Sequence, residues 1–223
     1  EVYKPGATLD RTLEYGGKTV PIYRDRPLNV FSDVDFIWTG EENENQRRLE
    51  YLGGEFRTRY GIDVSSFQGE IDWDAVADDN IDFAMVRVGF RGTGTGSLNT
   101  DKYYEQNIRG AMRAGLETGV YFFAQAVTVE EAIEEADYVI SLLDGLDING
   151  PVAYDWEMHD STYRVYGTSP EMATACAVAF CERIKDAGYT PMVYGGTYVT
   201  YMKYDQGALA DYLSWYPEYK SEK

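Results

Sequence analysis

At 223 residues the chain is long enough for one full-sized domain with a modest extension. Its net charge of −18 at pH 7 argues against nucleic-acid binding, which relies on Lys and Arg to neutralise phosphate. Hydrophobic residues at 44% and charged residues at 26% fit an ordinary soluble globular protein, and no apolar run approaches the ~20 residues of a membrane helix.

The chain opens with neither a basic n-region nor an apolar h-region, so no signal peptide is read in it; it could still be the mature part of an exported protein. Residues 1–59 carry 11 acids against 9 bases, leaving 27 against 11 in the remainder. The acidity thus lies in residues 60–223, where it reads as a solubilising surface. Residues 1–59 are short alternating runs (KTVPIYR, DVDFIWTG, EFRTRYGIDV) separated by Gly, Asn and Pro breaks. They predict a β-rich or irregular extension, too poor in large apolar clusters for a core of its own and packed against residues 60–223.

From Tyr60 onward short apolar runs alternate with helical stretches. Strands are expected at Tyr60–Val64, Phe83–Gly89, Gly119–Ala124, Pro151–Glu157, Pro191–Gly195 and, less regularly, Leu213–Tyr219. Between them fall a helical turn over Asp72–Ala77 and a helix over Asp101–Ala114 stopped by Gly115. A third helix opens at Thr128 with Glu131 in capping-box spacing, and a fourth is capped by Ser169 with Pro170 in its first turn. Most strands are apolar on both faces, as a sheet covered by helices requires. The alternation predicts parallel βα units, arranged as a βα barrel or as an open doubly wound sheet. No GxGxxG follows the first strand, which disfavours a dinucleotide fold.

Cys176 and Cys181 sit about 140° apart around one helix, so they are expected as buried thiols rather than a disulfide. The one histidine, His159, leaves a metal site without partners and reads as a loop histidine rather than a base; with no G-x-S-x-G elbow present, a hydrolase triad has little to work with.

The chemistry is sought at the strand ends. Residues two apart on a strand share a face, so Asp155 and Glu157 of PVAYDWE project together from the C-terminal end, where barrel active sites are built. Crowding should raise one of their pKa values and divide their roles, the pattern of glycoside hydrolysis. D-x-E alone is a weak signal and equally fits two exposed loop acids; its place after PVAY gives it weight. Asp63 ends the first strand. Arg87 is placed inside, facing strand-end carboxylates, against the plainer reading of an outward arginine. Tyr121, Phe123 and Tyr194 suit a sugar site, although Phe123 equally suits the core. The run Arg91–Gly96 lacks the GK[ST] of a phosphate loop; it is read as a substrate-facing loop with Arg91 as a contact.

YGIDVSSFQGEIDW, FAMVRVGFRG, NIRGAMRAGLETGVYFFAQA and PVAYDWE together resemble the family 25 glycoside hydrolases, the muramidase-type lysozymes, over residues 60–219. The resemblance implies a flattened βα barrel with fewer helices than the eightfold ideal, acting without a cofactor. It also implies hydrolysis of the β-1,4 bond between N-acetylmuramic acid and N-acetylglucosamine, with peptidoglycan glycan strands as partner and an extracellular or wall-associated setting. Glu157 then matches the proton donor, Asp155 its partner and Asp63 the first-strand acid. Tyr121 and Tyr194 match aromatics of the sugar site, and Trp215 opens the family's W-x-x-x-Y strand. Retention through the substrate's 2-acetamido group is implied. The family's closing strands, with a D-x-W-Q-Y motif, are not found before Lys223, so the barrel is expected to lack them. A non-catalytic peptidoglycan- or chitin-binding barrel and a chitinase-like glycosidase are the alternatives.

Overall fold

A computed structural model describes residues 9–15, 17–23, 35–40, 48–54 and 56–217. Tyr219, the expected end of the last strand, lies outside them. The lead segment forms two hairpins. β1 (Leu9–Tyr15) pairs antiparallel with β2 (Lys18–Tyr23), and β3 (Phe36–Thr39) with β4 (Arg48–Tyr51). The second hairpin is tied to the adjoining unit through Arg48, whose guanidinium donates to the Asp79 carboxylate at 3.0 Å and lies over the Tyr60 ring at 4.8 Å.

The main sheet contains β5 (Gly61–Val64), β6 (Phe83–Arg91), β8 (Glu117–Ala124), β9 (Val152–Trp156), β10 (Pro191–Tyr194) and β11 (Leu213–Trp215), all parallel. A short β7 (Leu98–Thr100) runs antiparallel on β6. The six parallel strands lie side by side in chain order, without the reversal that creates the switch point of a doubly wound sheet. The sheet is a curled parallel half-barrel, the singly wound arrangement of the two that the sequence allowed.

Helices follow the strands where the caps predict. α1 (Trp73–Asp78) starts at Asp72, whose carboxylate accepts from Ala75 N–H. α2 (Tyr104–Arg113) stops before Gly115, at φ +85°. α3 (Val129–Leu142) is capped by Thr128, while the Glu131 carboxylate reaches back to Val127 N–H. α4 (Pro170–Asp186) is capped by Ser169 and stops before Gly188. Two short helices, α5 (Thr197–Met202) and α6 (Gln206–Leu209), were not expected from the sequence.

The core lies between sheet and helices. Val86, Val120, Phe122, Tyr154 and Trp156 point from the strands onto Ile108, Val139, Phe180 and Ile184 of the helices. Cys176 and Cys181 are buried free thiols in it, and burial raises the pKa of both. Since this layer takes every second residue of each strand, the alternate residues face the concave side of the sheet. Among the described residues no helix is long and apolar enough to cross a membrane.

Candidate active site

The strand parity that buries Tyr154 and Trp156 turns Asp155 and Glu157 to the concave side. Trp156 is fixed by its indole N–H, which donates to Ala126 O at 3.0 Å, and by the Tyr204 ring. The next peptide is held as well, because Gln125 Nε2 donates to Glu157 O at 2.8 Å. The two acids are therefore presented from a rigid strand end rather than a loose loop.

They open into a cleft of about 460 Å³ lined by Asp63, Tyr121, Asp155, Glu157, Tyr194, Trp215, Tyr216 and Pro217. Five strands contribute, four of them near their C-terminal ends and β8 through Tyr121 at mid-strand. The volume lies within the range of small-ligand sites. Trp215 meets Tyr194 edge-on at 5.1 Å and Tyr121 at 6.1 Å, making one aromatic wall in which Tyr194 is the register neighbour of Asp155.

Asp155 is 8% exposed, and its Oδ1 has no hydrogen-bond partner among the described residues. Burial pushes its pKa well above the carboxylate range; Glu157 and Asp63 push the same way, and Arg87 opposes them. Burial likewise raises the Tyr121 hydroxyl, with Asp63 and Asp155 adding to it. Glu157 Oε2 and His159 Nε2 are hydrogen-bonded at 2.9 Å.

Six of the nine residues expected at the site line the cleft, namely Asp63, Tyr121, Asp155, Glu157, Tyr194 and Trp215. The other three do not. Phe123 stands beside Asp155 in register and is half-buried, but it is not part of the lining. Arg87 faces inward, but its partner is Asp101 rather than a strand-end acid of the cleft. Nε and a terminal nitrogen of Arg87 donate to Asp101 Oδ2 at 3.0 and 2.8 Å. Arg91 is turned away altogether. A bulge at Val88 shifts the β6–β8 register between Arg87 and Gly89, which reverses the parity beyond it. Arg91 is consequently buried on the helix side, donating to Glu135 at 2.8 Å and Glu134 at 2.7 Å. Burial works against its charge, but these two partners outweigh it and raise its pKa.

The sequence reading missed Tyr216 and Pro217, and it missed the polar frame behind the acids. In that frame Glu135 Oε1 accepts from Gln125 N–H at 3.0 Å, and Arg164 makes two 2.8 Å bonds to the Glu131 carboxylate while also donating to Gln125 O. Glu131 at capping-box spacing was the one signal available in the sequence.

The pattern of glycosyl hydrolases family 25 matches residues 62–223. The chain belongs to glycosyl hydrolase family 25. Among curated family relatives it is 26% identical over 164 residues to an autolytic lysozyme of Clostridium acetobutylicum, covering 73% of this chain and 46% of that protein. The chain spans less than half the length of the curated relatives it matches. Among solved structures it superposes with a TM-score of 0.58 and 21% identity on a family 25 glycosyl hydrolase from Bacillus anthracis, covering 74% of this chain and 73% of that one. A spore cortex lytic enzyme of Clostridium perfringens gives 0.59 and 21%, covering 72% of this chain and 54% of that one. The likeness to these two structures is one of fold.

Proposed function

We propose that this family 25 chain is a muramidase that hydrolyses the β-1,4 bond between N-acetylmuramic acid and N-acetylglucosamine in peptidoglycan, with retention. The carrying observation is the convergence of Asp63, Asp155 and Glu157 on one aromatic-walled cleft. Glu157 is the proton donor to the leaving oxygen. Asp155 takes the N–H of the substrate's 2-acetamido group as the acetamido oxygen attacks C1 and the glycosidic C–O bond breaks. Its buried Oδ1, without a hydrogen-bond partner among the described residues, is an acceptor open to such a donor. Water then opens the cyclic intermediate from the same face, passing its proton to the Glu157 carboxylate, so the stereochemistry is retained. Asp63 adds negative charge that favours the cationic transition state. Tyr121, Tyr194 and Trp215 take the sugar rings, and no residue in this scheme calls for a cofactor.

We also read the curled sheet as the larger part of a flattened barrel with few helices, formed by residues 60–223. Residues 1–59 would be a β-rich extension docked on it, and the protein would work outside the cell or on its wall. The names of the autolytic lysozyme and the spore cortex lytic enzyme support a wall substrate. Incubation with purified peptidoglycan, then product mass spectrometry, tests the activity. Reducing ends at muramic acid are expected. Products from chitin alone, or binding without cleavage, would contradict it.

A further inference from the structure

Phe67 is the most exposed large hydrophobic side chain among the described residues, at 85%, yet the turn beneath it is firmly held. It lies in a 3-10 turn, Ser66–Gln68, directly after β5 and Asp63. Ser65 caps that turn, its hydroxyl accepting from Phe67 N–H at 3.2 Å while Gln68 Oε1 accepts from Ser65 N–H at 2.8 Å. Asp101, itself buried, accepts from Ser66 N–H at 2.9 Å, and Arg87 donates to Ser66 Oγ at 3.2 Å. The Arg87 guanidinium then contacts both the Phe67 ring, at 5.0 Å, and the Phe90 ring, at 5.4 Å.

Single exposed apolar residues are common and need no explanation. What sets this ring apart is its fixation and its address. The loss of freedom that binding would otherwise impose has already been met by the folded turn. Arg87 is the register partner of Tyr121, which lines the cleft, so the platform continues the concave face on the side away from Trp215. From β9 to β5 is three strand spacings, about 14 Å of sheet. A ring there stands past Asp63, at the β5 edge of the cleft. Because Asp101 balances the Arg87 charge, the platform offers a neutral apolar face rather than an ionic contact.

We propose that Phe67, held by Arg87, is a saccharide-stacking subsite that takes the apolar face of an N-acetylhexosamine in a glycan strand extending beyond the cleft. This rests on the glycan-cleaving reading of the site. It assigns the chain a preference for long strands, with the strand running across β8 and β6 toward β5.

The test measures binding by the Glu157→Gln protein, so that strand length is not altered during the measurement. Affinity is determined for isolated glycan strands of many disaccharides and for a single disaccharide. Adding Phe67→Ala should weaken long-strand binding on the order of tenfold and leave disaccharide binding within about twofold. Adding Phe67→Trp instead should preserve long-strand binding. Unchanged long-strand affinity in the Phe67→Ala protein, or equal loss for both ligands, would overturn the subsite. Wild-type protein that binds long strands through Phe67 but releases no reducing ends would uphold the subsite and defeat the muramidase reading. Absence of all strand binding would defeat both.

Discussion

His159 Nε2 lies 2.9 Å from Glu157 Oε2, and its ring meets Tyr163 edge-on at 5.3 Å. The only histidine of the chain therefore touches the carboxylate assigned as proton donor, from a position that is itself 64% exposed. A side chain so exposed contributes little to the fold, but it restricts where the Glu157 carboxylate points. His159→Ala is expected to lower kcat several-fold while leaving the melting temperature within about 1–2 °C of wild type. Initial rates on soluble glycan strands and a thermal melt read the two quantities separately.

Asp155 carries a cost that its function explains. Its folded pKa is raised by burial, then by Glu157 and Asp63, so the folded state holds a proton that the unfolded chain releases. Below the unfolded value near 4 both states are protonated and nothing is lost. As pH rises from there toward the raised folded pKa, stability falls, and above it the penalty is complete. Asp155→Asn removes the penalty. The variant should melt above wild type at pH 7, by roughly 2–4 °C for each kcal/mol relieved, and lose that advantage near pH 3.5. Its activity should be nearly abolished. Melting curves across pH, with wall-lysis rates alongside, check both halves.

Arg91, buried against Glu135, is structural. Burial raises the Glu135 pKa to about 7 despite bonds from Gln125 and Arg91. Arg91→Met removes the cation and leaves that carboxyl buried without its charge partner, at a cost of about 3–5 kcal/mol. The loss should deepen as pH rises through 7 and Glu135 is pressed to ionise. Substrate affinity should change little. Denaturant unfolding at pH 6 and pH 8, and the KM of protein still folded at 25 °C, distinguish this from a substrate contact.

Trp215 joins the Tyr194 and Tyr121 rings into one wall. Trp215→Ala should raise KM on the order of tenfold, with a smaller effect on kcat, because the wall holds sugar rings without entering the bond-breaking step. Steady-state kinetics on soluble glycan strands measure the split.

Much of this architecture was legible in the sequence because it is locally encoded. The Ser169–Pro170 and Thr128 caps, the Gly115 stop and the apolar runs each state their element within a few residues. The D-x-E pair inherited its direction from the parity of PVAYDWE, which needs no knowledge of the rest of the chain. The features that escaped depend on distant pairings. A single extra residue at Val88 reverses the side of everything after it, so Arg91 moved from an expected loop contact to the helix layer. Asp101 became the partner of Arg87 only because β7 folds back on β6 and brings residue 101 beneath the Ser66 turn. The frame of Gln125, Glu131, Glu135 and Arg164 joins segments up to 39 residues apart, and no local spacing announces it. The cleft contacts of Tyr216 and Pro217 likewise depend on how the chain leaves β11.

The central claim, that Glu157 donates the proton in cutting peptidoglycan, is tested most directly by Glu157→Gln. The variant should fold with an unchanged circular dichroism spectrum and still sediment with purified walls. Its release of muramic acid reducing ends should fall by about 10²–10⁴-fold, the contribution of a positioned general acid. Wall cleavage at the wild-type rate by this folded variant would contradict the assignment.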